Sequence, residues 1–147
     1  GLLREHGAAP ADVLSIDIDG MDWWVWQAVQ APHPRIVVIE YNAAFGPERA
    51  VTVPYQPLFD RWAAHPSGLY YGASLAALAQ LGQEKGYRLV GCESAGVSAF
   101  FVQDDAAPPA LRPVPAARAF RENTLQNRAM PYARQFDTIA HLPLESV

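Results

Sequence analysis

The chain has 147 residues, half of them apolar or aromatic and 18% of them charged, which is the size and composition of one globular domain. A single cysteine, Cys92, excludes an internal disulfide and a cysteine-rich zinc site, and it fits a reducing, cytoplasmic compartment. The formal charge of −4 argues against a nucleic-acid partner, and no apolar stretch approaches the ~20 residues that a membrane span needs. Because the chain opens without an initiator Met or a signal-peptide pattern, we expect a fragment of a longer protein.

The first part of the chain predicts a strand, a helix and a second strand. Residues 12–19 form a short β-branched run that ends in carboxylates, which is typical of a strand. Asp22 then offers an N-cap to a helix over residues 23–31, which ends before two prolines. Residues 35–42 carry four consecutive aliphatic side chains, the pattern of a strand that is covered on both faces of a parallel sheet. The three elements predict a right-handed βαβ unit.

The next part predicts a long loop, a helix and an antiparallel hairpin. Residues 43–72, called the long loop below, contain four prolines and no clear periodicity, and loops of this length are usually functional or disordered. Ser74 is a candidate N-cap for a helix that ends at Lys85, before a glycine. Residues 87–92 and 98–103 are two strand-like runs too close together to be parallel, so they predict a hairpin.

Residues 106–147 predict a linker and a helical tail that follow a domain of residues 1–105. The linker is rich in proline, and a polar helical segment spans residues 116–127. The tail carries five arginines against three acidic residues, whereas the chain as a whole is acidic. We therefore expect the tail to lie on an acidic face of the domain or on a partner.

Four ordered strings within residues 12–105 carry a family resemblance. They are LSIDIDG at 14–20, VVIEYN at 37–42, YGASL at 71–75 and GVSAFFV at 96–102. Together they resemble the C-terminal half of FkbM-type S-adenosylmethionine-dependent methyltransferases and their bacterial relatives. The resemblance implies an α/β fold, namely a Rossmann-like class I methyltransferase sheet with its N-terminal strands missing, ending in an antiparallel β-hairpin. Ser98 stands where the family is expected to carry Asn.

The resemblance implies methyl transfer from S-adenosyl-L-methionine to a hydroxyl group of a small molecule or sugar. The family's glycine-rich cofactor turn, and its acidic residue that holds the cofactor ribose, are expected before Gly1, because no Gly-x-Gly turn after a strand occurs in these 147 residues. The chain alone is therefore expected to be inactive. In the strand order of the family, the segment from Val13 to Ile18 would form an open sheet edge, through which self-association is expected.

Four polar residues follow the two predicted parallel strands at their carboxyl ends, where open α/β sheets bind ligands. Asp17 and Asp19 end the first strand and, being two residues apart, are expected on one side of it. Glu40 and Asn42 end the second strand. Three carboxylates that converge need a cation, a proton or a hydrogen-bond donor to offset their repulsion.

Two kinds of compensation remain open. Asp17, Asp19, Glu40 and Asn42 could hold a divalent ion such as Mg²⁺, which prefers oxygen ligands and acidifies a bound hydroxyl. Alternatively, Asp17 or Asp19 binds the amino group of the cofactor's methionine moiety, while Asp19 or Glu40 acts as the catalytic base. In a purely structural interpretation, Asp19 and Asp22 only cap the following helix.

Aromatic residues near these strands have two interpretations each. Of Trp23, Trp24 and Trp26, at least two are expected in the core, and the third could line a substrate or subunit contact. Tyr70 and Tyr71 end the long loop, and they either stack on a substrate ring or anchor the loop through their hydroxyl groups.

Two rival functions fit the same residues. A nucleotide-sugar glycosyltransferase would use Asp17 and Asp19 to hold a metal ion on a diphosphate, although the hairpin string fits the methyltransferase better. A non-catalytic interaction module would bind a protein partner through the long loop and the arginine-bearing tail. An intact glycine-rich turn upstream in the coding sequence would argue against the module.

Overall fold

The computed structural model of the chain describes residues 11–30 and 33–147. Its strands are β1 (Val13–Ile16), β2 (Ile36–Glu40), β3 (Val51–Thr52), β4 (Tyr87–Cys92), β5 (Ser98–Gln103) and β6 (Glu145–Ser146). Its helices are α1 (Asp22–Ala28), α2 (Arg61–Ala64), α3 (Leu75–Glu84), α4 (Ala116–Ala119), α5 (Thr124–Ala129) and α6 (Tyr132–Ile139). The start of the predicted domain, residues 1–10, and the predicted end of the first helix, Ala31, lie outside the described residues.

Four strands form one mixed sheet in the order β1-β2-β5-β4. β1 and β2 are parallel, with Val13 opposite Ile36, whereas β5 runs antiparallel to both of its neighbours, β2 and β4. β4 therefore runs in the same direction as β1 and β2. The mixed α/β class, the parallel pair and the hairpin predicted from the sequence are confirmed.

The first strand is shorter than predicted. β1 ends at Ile16, and the chain then turns, with Asp19 in a left-handed backbone conformation at φ +57°. A residue with such a backbone cannot continue a strand, whereas aspartate tolerates it better than most residues. Asp17 and Asp19 therefore lie in a turn, and the prediction that they share one side of a strand is wrong.

Two helices, α1 and α3, pack against the sheet and form the main core. Trp26 of α1 and Leu78 of α3 join Ile39 and Phe101 of the sheet in one buried cluster. The rings of Trp26 and Phe101 lie 4.9 Å apart, and a Cβ on Gly82 of α3 would come 2.9 Å from the Phe101 ring. Glycine at this position therefore lets the helix backbone approach the sheet closely.

The two helices begin and end through different local interactions. Ser74 caps α3, since its Oγ accepts a hydrogen bond from the Ala77 N–H at 3.1 Å, and Gly86 follows the helix at φ +79°, which confirms the predicted helix and both of its ends. Trp23 and Trp26 of α1 are both buried, as predicted. No helix in residues 11–30 and 33–147 is long and apolar enough to cross a membrane.

The C-terminal segment packs onto the rest of the chain. Ile139 of α6 is fully buried in a second cluster beside Phe45 and Leu69 of the long loop. β6 pairs with β3, which lies in the long loop. The predicted helix over residues 116–127 is divided into α4 and α5. The segment therefore completes a second hydrophobic core against the long loop.

β1 lies at one edge of the sheet. Among the described residues, only β2 pairs with it. Val13 and Ile18 are 51% and 52% exposed at this edge. The open edge predicted from the sequence is therefore present in the part of the chain that the structure describes.

Candidate functional site

The predicted site residues gather at the carboxyl ends of β1 and β2, under the long loop. The turn of residues 17–21 follows β1, and the Gly72 N–H donates to the Gly20 carbonyl at 2.9 Å, which joins this turn to the end of the long loop. A Cβ on Gly20 would overlap the ring of Phe59. Only glycine at position 20 therefore leaves room for the long loop to cover the turn.

Asp22 holds the turn together instead of capping the helix. Its carboxylate accepts hydrogen bonds from the backbone N–H groups of Ile18 and Gly20, both at 3.0 Å. The residue is 1% exposed and is the first residue of α1, so Met21 occupies the cap position. Burial raises the pKa of Asp22, although the two N–H donors act in the opposite direction. The helix-cap role expected for Asp22 is therefore wrong, because its side chain points back along the turn.

Glu40 ends β2 in a nearly buried position, with 6% of its surface exposed. Its Oε2 atom has no hydrogen-bond partner among the described residues. Burial, followed by the negative charges of Asp17 and Asp22, raises the pKa of Glu40 from 4.5 to about 8. Glu40 is therefore mostly protonated at neutral pH.

Asp17, Asp19 and Glu40 lie at the same end of the parallel β1–β2 pair. Both aspartates lie close enough to Glu40 for their charges to raise its pKa, and the nearby Arg61 lowers it. Three acidic side chains, those of Asp17, Asp19 and Asp22, and one basic side chain, that of Arg61, act on Glu40. Such a site attracts cations.

Arg61 supplies the positive charge of the site. Its guanidinium forms an ion pair with Asp19 and donates from Nε and Nη2 to the Gly68 carbonyl at 3.0 and 2.8 Å. The guanidinium carbon lies 3.8 Å from the centre of the Tyr71 ring, which is a cation–π geometry. Arg61 therefore connects the turn after β1 to two points of the long loop.

Asn42 holds the backbone of the long loop against the end of β2. Its Nδ2 donates to the carbonyl groups of Leu69 and Tyr71 at 2.6 and 2.9 Å, and its Oδ1 accepts from the Ala44 N–H at 3.0 Å. The side chain is fully buried. Its amide is committed to the backbone, so Asn42 does not serve as the metal ligand that its position predicted.

Tyr70 and Tyr71 both anchor the loop. The Tyr70 hydroxyl donates to the Pro143 carbonyl at 2.6 Å, and the Tyr71 hydroxyl accepts from Nε2 of Gln126 at 3.0 Å. Tyr71 is 1% exposed, and burial, with the neighbouring charge of Glu40 as the next cause, raises its pKa far above the ordinary value. Of the two interpretations of this pair, the structure favours anchoring over stacking on a substrate.

The arrangement bears on which ligands these residues could hold. Within the described residues, no three His, Cys, Asp or Glu side chains are grouped to share one metal ion. Asp19 is paired with Arg61, and the amide of Asn42 is occupied. Asp17 is exposed, whereas Glu40 is nearly buried and its Oε2 has no partner among the described residues. This donor set suits an organic cation better than Mg²⁺, which needs several oxygen ligands in octahedral geometry.

Sequence reasoning missed Arg61 and Gln126. Arg61 lies in the long loop, and Gln126 lies in α5, far from the strand ends along the chain. Neither has a spacing that connects it to a strand. The signal for Arg61 was indirect, since converging carboxylates require a cation, but it did not indicate which arginine supplies it.

Comparison with known proteins gives no relative. No family model, curated protein or solved structure matches this chain.

Proposed function

We propose that the protein is an S-adenosyl-L-methionine-dependent methyltransferase that acts on a hydroxyl group of a small molecule or sugar. The observation that carries the proposal is the strand arrangement. The parallel pair β1–β2 is followed by a hairpin whose second strand, β5, lies between β2 and β4 and antiparallel to both. A parallel pair followed by an antiparallel hairpin is what the FkbM-type resemblance implies for the second half of a class I methyltransferase sheet, so the observed strands support the same family as the sequence strings.

The charges at the strand ends also support the proposal. S-adenosyl-L-methionine supplies, when bound, a methyl group on a positively charged sulfur, and it carries an amino group as well. Asp17 is exposed and would accept hydrogen bonds from that amino group, and Asp19 would add its charge nearby. We assign the two carboxylates to the cofactor rather than to Mg²⁺ because Asp19 already pairs with Arg61 and Asn42 is occupied by the backbone.

Glu40 is the base in this proposal. Its Oε2 has no partner in the part of the chain that the structure describes, and its raised pKa of about 8 makes it a stronger proton acceptor than an ordinary carboxylate. In its ionised form it would remove the proton from the acceptor hydroxyl. Arg61, held by Asp19 and Gly68, lowers the pKa of Glu40 and thereby increases the ionised fraction. We include a reducing, cytoplasmic location in the proposal, because the one cysteine is partly buried and unpaired.

Thermal-shift measurements test the proposal on the gene product that contains these residues. S-adenosylhomocysteine should raise the melting temperature, and uridine diphosphate should not. Stabilisation by uridine diphosphate instead would indicate a glycosyltransferase and overturn the proposal. Stabilisation by neither compound would favour a non-catalytic interaction module and would overturn it equally.

The pH dependence of methyl transfer tests the role of Glu40. Because the base must be ionised, the rate should rise as the pH approaches about 8 and then level off. Glu40→Gln should remove this rise along with most of the activity. An unchanged pH profile in the variant would show that Glu40 is not the base.

A further inference from the structure

A cavity of about 360 Å³ lies between the long loop and α5. Its size is near the lower end of the ~300–1,000 Å³ range of small-molecule sites. Its principal lining residues are the apolar Trp62, Leu69, Leu125 and Met130 and the polar Arg61 and Gln126. The cavity therefore offers an apolar space with a small number of polar groups.

Two large apolar side chains of this cavity are exposed to solvent. Trp62 is 65% exposed and Leu125 is 58% exposed, although they come from separate elements of the fold. A Cβ on Gly68 would come 2.5 Å from the Trp62 ring, so glycine at this position lets the indole lie against the loop backbone. An indole held in place beside an apolar cavity is a surface on which a flat aromatic ring stacks favourably.

Gln126 lines the cavity, and part of its side-chain amide lacks a hydrogen-bond partner among the described residues. One end of its amide bonds to the Tyr71 hydroxyl, and the other end, Oε1, is buried without a partner among the described residues. A tyrosine hydroxyl can donate or accept, so reversing the amide would only transfer the unmet bond to the nitrogen. A ligand hydroxyl that meets the amide after a rotation of the Gln126 side chain would satisfy either orientation, because a hydroxyl can also donate or accept.

The charge of the lining favours a neutral ligand. Arg61 is the one charged residue of the lining, and its guanidinium is already bonded to Asp19 and to the Gly68 carbonyl. An anionic ligand would have to compete with Asp19 for this guanidinium.

From these observations, we propose that the cavity binds a small neutral molecule that carries an aromatic ring and a hydroxyl group. The ring would stack on Trp62, and the hydroxyl would bond to Gln126. The binding proposal does not depend on methyl transfer. The additional proposal that this molecule is the methyl acceptor rests on the proposed function. Tyr71 supports that step, because it contacts Gln126 and lies next to Glu40.

Three probes of similar shape test the binding site by calorimetry or ligand-observed NMR on the chain itself. They are p-cresol, toluene, which lacks the hydroxyl, and 4-methylanisole, whose oxygen cannot donate. We expect p-cresol to bind at least about fivefold more tightly than toluene, the effect of one net hydrogen bond. The affinity of 4-methylanisole reports the orientation of the Gln126 amide. An affinity between those of p-cresol and toluene indicates that the ligand oxygen accepts a hydrogen bond from the amide nitrogen. Equal affinity for p-cresol and toluene, or no binding of any probe, would overturn the proposal.

Variants locate the bound probe. Ala129→Trp should fill the cavity and abolish binding, whereas Ala133→Trp, on the exposed surface of α6 and outside the lining, should leave it unchanged. Gln126→Leu should keep toluene binding, which shows that the cavity is intact, but lose the preference for p-cresol. Unchanged p-cresol binding in Ala129→Trp would overturn the assignment. Methyl transfer to p-cresol by the gene product is a separate measurement, so failure of the reaction and failure of binding are distinguishable.

Discussion

Replacing Glu40 by Gln should change how stability depends on pH. In the folded protein the pKa of Glu40 is about 8, raised from the ordinary 4.5 first by burial and then by the charges of Asp17 and Asp22. Below pH 4.5 the carboxyl is protonated in both the folded and the unfolded chain, so it has no effect on the pH dependence. Between pH 4.5 and pH 8 the unfolded chain releases the proton while the folded chain keeps it, so the free energy of unfolding falls as the pH rises. Above pH 8 the loss is complete.

The magnitude follows from the width of that interval. A difference of one pKa unit corresponds to about 1.4 kcal/mol, so between pH 5 and pH 8 the wild-type protein should lose on the order of 4 kcal/mol through this one group. Glutamine has almost the same shape but no proton to release. The stability of Glu40→Gln relative to wild type should therefore increase by about that amount over the same interval.

Urea denaturation at pH 5, 6, 7 and 8, followed by tryptophan fluorescence, measures the difference. Glu93→Gln is the matched control. Burial acts to raise the pKa of Glu93, but the N–H groups of Val97, Ala95 and Ser98 outweigh it and lower the pKa. This group contributes stability above its unfolded pKa, so Glu93→Gln should be destabilised by a nearly constant amount from pH 5 to pH 8. A constant stability difference between Glu40→Gln and wild type would refute the reasoning.

Four further predictions concern activity, metal dependence, cofactor binding and association. Asp17→Asn and Asp19→Asn should each lower turnover of the gene product at least about tenfold, a loss of about 1.4 kcal/mol of transition-state stabilisation. Wild-type rates in both variants would show that the two aspartates have only a structural role. EDTA should leave the rate of methyl transfer unchanged. A rate that falls in EDTA and recovers when Mg²⁺ is added would indicate that the carboxylates bind a metal ion. Calorimetry on the 147-residue chain alone should detect no binding of S-adenosyl-L-methionine, because the sequence contains no glycine-rich turn after a strand, and low-micromolar affinity would contradict this. The open β1 edge should make the chain self-associate, and Val13→Lys should reduce the association seen by sedimentation, so a monomeric wild type would contradict the role of this edge.

Local sequence signals predicted the regular elements well. The hairpin strands begin and end at the predicted residues, and α3 has its predicted cap at Ser74 and its glycine at Gly86, because each depends on residues that are adjacent in the chain. The carboxyl ends of two parallel strands also predicted which acidic residues lie at one end of the β1–β2 pair. These features follow from backbone geometry alone.

The tasks of individual side chains were harder to predict. Asp22 stands where a helix cap is expected, but a carboxylate before a helix can bond to N–H groups on either side, and here it bonds to the preceding turn. Asn42 lies where a metal ligand is expected, but its amide forms hydrogen bonds to the backbone of the long loop. Arg61 and Gln126 reach the site through the packing of the long loop and α5, which no local pattern encodes.

The pairing of β3 with β6 has a consequence for the order in which the site is assembled during synthesis. Val51 lies opposite Ser146, and the Val147 N–H donates to the Ala50 carbonyl at 3.2 Å, so the long loop is fastened by residues made much later. Contacts between such distant segments form late, because a large loop must close first. A nascent chain can thus complete the β1–β2 pair and the hairpin before β3 pairs with β6. Until residues 145–147 have left the ribosome, β3 has no β6 to pair with, and the long loop lacks this one attachment.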